Sequence, residues 1–438
     1  MSQKKHLNSV RTPHFKNTAA CAVEEMPIPD VIKISMSQNI GAPCQPLVKK
    51  GDEVKMGQKI GDTDAFVSAP IFSSVSGTVT GIETQRSMMG GEETLVVIEP
   101  DKKQEPFEGL EPPVVTDHKS FVAAVRASGV VGLGGASFPT HIKLDPKNLD
   151  ECKTLIVNAA ECEPFITCDH RTMLEDADNL IYGMEQIMKW LELDIGYIGI
   201  EENKPDAIAH LNQLIAEKGL ADKMKTFTLQ ARYPKGAERV LIYEVTGKTM
   251  NAGELPAQHG VILSNVTTIA AIGDYLQTGM PYVMKNLTVD GDAVANAKNV
   301  RVPIGTQIRD IIEFCGGYSQ EPKKIVAGGP MMGRAMYSDA IPIVKNNSAI
   351  LVFSSDKAVT PEETPCINCG RCHSVCPIEL MPFALSDAYE RKDVEALQSL
   401  RVMQCMECSS CSYICPAHRP LGFMHKLGKA MVKEAQSK

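Results

Sequence analysis

The sequence predicts a multidomain α/β chain: an all-β part near the N-terminus, a central parallel α/β domain, a small β module and a helical C-terminal part. Three observations predict this. Short alternating apolar runs separated by glycine turns fill residues 28–105. Apolar strand-like runs alternate with helical stretches over 118–284. Two dense cysteine runs lie within 360–438. A chain of 438 residues exceeds one ordinary core and leaves room for two to four domains.

Composition narrows the function classes. A net charge of −8 argues against a general nucleic-acid binder, which needs a basic surface to displace counterions. No apolar run approaches bilayer-spanning length. The opening MSQKKHLNSV is basic but lacks the apolar core of a signal peptide, so a cytosolic mature protein is expected. Fourteen cysteines in such a chain point to metal or redox chemistry rather than disulfides.

Residues 1–27 read as an N-terminal extension. In 28–105 the turn signals are GAP at 41–43, KKGDEV at 49–54, GQKIGD at 57–62 and SGTV at 76–79. The string GDEVKMGQKIGDTDAFVSAPIFSSVSGTV resembles a lipoyl or biotinyl carrier domain, which implies a barrel-sandwich fold. The modifiable lysine of those carriers is replaced by Asp64-Ala65-Phe66, so a docking or spacing module is expected instead of a carrier.

The central domain opens with a helix over 118–128 and the glycine-rich GVVGLGGASFPTHIK, 129–143. This stretch fails as a dinucleotide fingerprint: Ser137 stands where the third glycine belongs, and a helix rather than a strand precedes it. It remains a loop whose amides can approach a phosphate or a flat ring, or simply a tight turn. Four apolar runs read as buried strands, each followed by a helix: 154–160, 194–201, 225–231 and 261–266. Ligands of parallel sheets gather at the carboxyl ends of the strands. Polar residues fall there: Asn158, Glu161 and Glu163; Glu201 to Lys204; Tyr233 to Glu238; and Asn265 to Thr268. Residues 285–317 read strand, turn, strand, helix and resemble a small β-grasp module, placed at 285–320.

PCINCGRCHSVCP (365–377) and CMECSSCSYICP (405–416) share the spacing C-x2-C-x2-C-x3-C-P. Three close thiolates wrap one iron–sulfur cube and the fourth serves the other. The expected sets are Cys366, Cys369, Cys372 and Cys415 for one [4Fe–4S] cluster, and Cys405, Cys408, Cys411 and Cys376 for the second. Zinc would gain nothing from the third cysteine at this spacing. His373 is expected in a solvated loop, and 380–404 to form two short helices. The basic tail from Gly422 reads as a helix that is either solvated or turned to a membrane or partner. The remaining cysteines, 21, 44, 152, 162, 168 and 315, are expected to be buried, unreactive thiols. Clusters fed by a hydride donor require a converter from two electrons to one, which a flavin supplies.

Taken together, GVVGLGGASFPTHIK, VNAAECEPFITCDHR, YPKGAERVLIYEVTG, SNVTTIAAI and AGGPMMG, followed by the cysteine pair, resemble the RnfC subunit of the Rnf complex, the ion-translocating ferredoxin:NAD+ oxidoreductase of bacterial membranes. The central domain is also similar to the NADH-oxidising flavoprotein subunit of respiratory complex I, whose single terminal cluster contrasts with the pair here. The resemblance implies FMN held by Gly132, Gly134, Gly135, Lys143, Asn158, Glu161, Tyr233, Gly236, Glu238, Asn265 and Thr268. It implies NAD(H) contacted by Phe138 and Glu163. It further implies other membrane subunits as partners, ferredoxin as an indirect one, and a peripheral position on the cytoplasmic face of the membrane. The family's consecutive prolines near the N-terminus are replaced by TPHF, 12–15, which leaves the extension without an assigned role. Two other readings stand beside it: a soluble flavin reductase similar to cobalamin reductase, against which the N-terminal sandwich counts, and a non-catalytic iron–sulfur relay.

Overall fold

The structure, a computed structural model, describes residues 6–88 and 90–437. The N-terminal β domain is two small sheets facing each other. One pairs Ile32–Ser35, Glu92–Pro100, Gly77–Arg86 and Glu53–Val54; the other pairs Gln45–Pro46, Lys59–Asp62 and Ile71–Phe72. Period-two alternation drives Ile32, Ile34, Val79, Val96 and Ile98 inward to a shared core. Phe66, where a carrier would place its lysine, is exposed.

The central sheet has four parallel strands in the spatial order Met224–Leu229, Ile195–Glu201, Thr154–Ala159, Val261–Asn265. These are the four runs read from the sequence, and helices Cys168–Glu175, Ala177–Trp190, Pro205–Glu217, Glu238–Thr246 and Val266–Thr278 follow them. Strand order reverses between Thr154–Ala159 and Val261–Asn265, so a crevice opens beyond their carboxyl ends. Asn158 and Asn265 lie side by side there in the register.

The strand–turn–strand–helix expected after the central domain is Met284–Asp290, Lys298–Pro303 and Ile308–Phe314. Two strands and one helix cannot cover both faces of a core. The sheet therefore grows to six strands, taking Ala349–Phe353, Lys324–Ala327 and Arg334–Ala335 on one side and Val23–Glu25 from the N-terminal extension on the other.

The C-terminal part is helical. Pro382–Glu390 and Val394–Ser399 lie between the cysteine runs and pack on the terminal helix Leu421–Gln436. Leu421, Met424, His425, Gly428 and Val432 of that helix are buried, so the basic tail builds this module and exposes only its other face.

Candidate functional site

The two cysteine runs fold alike. The second residue after the leading cysteine is left-handed in both, Asn368 at φ +55° and Glu407 at φ +58°. So is the fourth, Gly370 at +72° and Ser409 at +60°. This path curls each loop back on its own sulfur. Asn368 N–H donates to Cys366 Sγ and Glu407 N–H to Cys405 Sγ, both at 3.4 Å. The third cysteines, Cys372 and Cys411, sit on short helices, Arg371–Ser374 and Ser410–Ile414.

One small cavity is lined by Cys366, Cys369, Cys372 and Cys415; another by Cys376, Cys405, Cys408 and Cys411. Each cavity takes three thiols from one run and the last thiol of the other. Four converging thiols and a sulfur-directed amide per cavity suit a cubane cluster. His373 instead places Nδ1 2.8 Å from the Leu380 carbonyl. Cys366 and Cys369 are exposed, whereas the second cavity is turned toward the central domain.

At the crevice, Asn265 caps helix Val266–Thr278: its Oδ1 accepts from Thr267 N–H (3.0 Å) and Thr268 N–H (3.3 Å). Its Nδ2 donates to Asp169 (2.8 Å), which also accepts from the Thr267 hydroxyl (2.7 Å). Thr268 is fully buried and accepts from Leu133 N–H (2.9 Å), fastening the glycine loop. Gly134 lies on Asn265 so closely that a Cβ would meet its side chain at 3.0 Å. Gly132 and Phe138 close the loop through Gly132 N–H to the Phe138 carbonyl (2.9 Å), and the Gly135 carbonyl accepts from Asn346 (2.6 Å).

Across the crevice, Asn158 Nδ2 donates to the Gly236 carbonyl (2.8 Å) and Gly236 N–H points at Cys162 Sγ (3.4 Å). Glu161 is left-handed at φ +48°, and its Oε1 accepts from Asp169 N–H (2.6 Å). Glu163 accepts from the amides of Met331 and Met332, both at 3.0 Å. Burial raises both carboxyls to about 7, with Lys16 opposing at each, Lys204 also at Glu161, and the two amides at Glu163. Burial raises Cys162 and Tyr233 well above their ordinary ranges. Lys143, half-buried at the end of helix Thr140–Lys143, and Glu238, which starts Glu238–Thr246, have no hydrogen bond or ion pair to the other site residues among the described residues.

Glu161 Oε2 and Tyr233 Oη are buried without a hydrogen-bond partner. Native interiors rarely leave such atoms unmet. Two unmet polar atoms in loops beyond the carboxyl ends of the central strands fit a flat polar ligand such as a flavin.

Sequence reasoning gave the N-terminal extension no role at the site. Lys16 Nζ donates to the carbonyls of Glu161, Glu163 and Ile166. Val10 and Tyr233 exchange backbone hydrogen bonds (2.8 and 3.0 Å), and Asn8 Nδ2 donates to the Cys376 carbonyl (3.2 Å). No spacing rule connects residues 8–16 to loops so distant in sequence. The replaced proline pair was the only signal in this region. Val10, Tyr233 and Val375 form a buried cluster against which Cys162, Met331, Cys408 and Ile414 pack. The crevice loops and the second cysteine cavity thus share one apolar contact.

The chain matches four family models: the RnfC barrel sandwich hybrid domain over 5–103, the Nuo51 FMN-binding domain over 125–274, the SLBB domain over 286–335 and the 4Fe-4S dicluster domain over 358–416. It therefore carries an FMN-binding domain and a two-cluster iron–sulfur domain. It is 42% identical over 85% of its length to the C subunit of the proton-translocating ferredoxin:NAD(+) oxidoreductase complex of Clostridium ljungdahlii, covering 81% of that protein. It is 39% identical over 90% of its length to the C subunit of the Na(+)-translocating complex of Acetobacterium woodii, covering 89%. It is 34% identical over 97% of its length to the C subunit of the ion-translocating oxidoreductase complex of Rhodobacter capsulatus, covering 82%. With relatives this similar along nearly its whole length, and with the domain order sandwich, flavin domain, SLBB and paired clusters, the chain belongs to the RnfC family, the C subunits of the Rnf-type ion-translocating oxidoreductases.

Proposed function

We propose that the chain is the nucleotide-facing electron-transfer subunit of a membrane-bound ion-translocating ferredoxin:NAD+ oxidoreductase. When bound, FMN exchanges a hydride with NAD(H) and single electrons with [4Fe–4S] clusters. Gly132, Gly134 and Gly135 offer backbone to the ring or phosphate. Asn158, Asn265, Thr268 and Gly236 frame it, and Glu161 and Tyr233 supply unmet polar atoms. Lys143 and Glu238 border the flavin, and Phe138 and Glu163 meet the nicotinamide nucleotide. Cys376, Cys405, Cys408 and Cys411 hold the cluster nearer the flavin; Cys366, Cys369, Cys372 and Cys415 hold the outer one. The observation that carries this reading is that Cys162, at the crevice, and Cys408, of the second cavity, both pack against the buried Val10, Tyr233 and Val375 cluster.

No helix among the described residues is long and apolar enough to cross a membrane. In this reading the ion path lies in other subunits, the chain docks on the cytoplasmic face, and ferredoxin reaches it through those partners. The exposed Cys366–Cys369 edge is the side that meets them. The test is anaerobic: protein with intact clusters is supplied with FMN, then NADH, and followed by visible absorbance and EPR. Reduction of both flavin and clusters is expected. Iron–sulfur signals that stay oxidised while FMN fails to bind would favour a relay without a nucleotide site.

A further inference from the structure

We propose that Lys16, on the N-terminal extension, is a positioning residue for the nucleotide site, acting as the internal template of the Glu161–Ile166 loop. The inference rests on the reading that this loop borders flavin and NAD(H).

The Lys16 ammonium donates to three backbone carbonyls: Glu161 at 2.8 Å, Glu163 at 2.9 Å and Ile166 at 2.6 Å. An ammonium has three donors and no acceptor, so its hydrogen bonding is filled by this one loop. The loop needs such a restraint. Glu161 and Phe165 are both left-handed, at φ +48° and +70°, a conformation that disfavours ordinary side chains. The residues beside Lys16 fasten the same loop. The His14 carbonyl accepts from Phe165 N–H (3.0 Å), and the Phe15 ring stacks on Phe165 with centroids 4.9 Å apart.

The clasp uses backbone only. It leaves the Glu161 carboxyl free to reach Asp169 N–H, and the Glu163 carboxyl free to reach the Met331 and Met332 amides. Lys16 Nζ also stands 3.9 Å from Glu161 Oε2, the oxygen that has no hydrogen bond. Loop shape and carboxylate placement are therefore tied to a side chain about 150 residues away in sequence. A guanidinium holds its donors in one plane, so it does not reproduce the tetrahedral spread of an ammonium's three.

The test uses Lys16→Met, Lys16→Arg and Phe15→Leu in the full chain, purified anaerobically, with iron and sulfide content matched to wild type. FMN dissociation constants come from quenching of flavin fluorescence on deflavinated protein. KM and kcat for NADH come from an artificial acceptor. Lys16→Met is expected to weaken FMN binding and raise the NADH KM about tenfold or more, with kcat changed less. Lys16→Arg is expected to stay closer to Lys16→Met than to wild type, and it carries the test if Lys16→Met does not fold. Phe15→Leu, which loses the ring stack but keeps the ammonium, is expected to weaken FMN binding and raise the NADH KM by clearly less than Lys16→Met. Wild-type values in Lys16→Met, full rescue by arginine, or the whole effect reproduced by Phe15→Leu would each overturn the proposal. Wild-type protein that neither binds FMN nor accepts electrons from NADH would instead overturn the reading of the site on which it rests.

Discussion

Glu163 shows how much at this site depends on single atoms. A Cβ on Gly329 would lie 2.3 Å from Glu163 Oε2 and 2.4 Å from its carboxyl carbon, so only glycine lets the carboxyl reach the Met331 and Met332 amides. Gly329→Ala should displace that carboxyl, raising the NADH KM about tenfold while FMN affinity stays within about twofold. Steady-state kinetics and flavin titration read the two separately. Glu161 and Glu163, both raised to about 7 by burial, give a second residue-scale test. A carboxyl with a raised folded-state pKa binds more protons folded than unfolded. Its contribution to stability therefore falls as pH rises from the ordinary carboxylate range through about 7. An infrared band of protonated carboxyl should bleach between about pH 6 and about pH 8, while the thermal midpoint should fall from about pH 5 and level off above about pH 7. Glu161→Gln and Glu163→Gln should each remove part of the band. Both glutamates were legible in the sequence from their place after an apolar strand. Lys16 was not, because a lysine that serves a distant loop leaves no local pattern.

At the scale of elements, the cysteine runs make the strongest case for reading chemistry from spacing. The four central strands were equally legible, since buried parallel strands are short continuous apolar runs. The six-stranded sheet was legible only in part: Lys324–Ala327 and Ala349–Phe353 join it across long connections, and Val23–Glu25 joins from the other end of the chain. The terminal helix read as a basic tail because its buried face is built of Gly, Met and His as well as Leu and Val. The crossed cavities make a prediction that sequence-local pairing does not. Cys366→Ala with Cys415→Ala should cost about half the iron, since both changes strike one cluster. Cys411→Ala with Cys415→Ala, both within one run, should cost nearly all of it. Iron and sulfide analysis of the two double variants distinguishes crossed from local pairing.

Over the whole molecule, the N-terminal extension binds the domains together. Buried Asn299 accepts from the hydroxyls of Thr167 (2.9 Å) and Thr288 (2.8 Å) and donates to the carbonyls of Thr18 (2.9 Å) and Cys21 (3.2 Å). It joins the extension, the flavin domain and the six-stranded sheet. Asn299→Ala should cost about 2–4 kcal/mol in denaturant unfolding, because several buried polar groups lose their partner at once. Domain order was readable from composition and motifs, but the contacts between domains were not, as they depend on isolated residues such as Asn8, Arg239 and Lys345. Arg239 Nη1 donates to the Gln404 carbonyl (2.9 Å), fixing the cluster module against the flavin domain. Lys345 donates to the carbonyls of Pro70 (2.8 Å) and Gly129 (2.7 Å), fixing the sandwich to the glycine loop.

The central claim is a single path from the nucleotide crevice through the Cys376/Cys405/Cys408/Cys411 cavity to the exposed one. The most direct measurement is anaerobic NADH reduction, followed by EPR, of two variants that each lack one cluster: Cys408→Ala for the inner cavity and Cys369→Ala for the outer. NADH should still reduce the remaining inner cluster in Cys369→Ala, but should leave the outer cluster of Cys408→Ala oxidised although dithionite reduces it. Prompt NADH reduction of the outer cluster in Cys408→Ala would contradict the path.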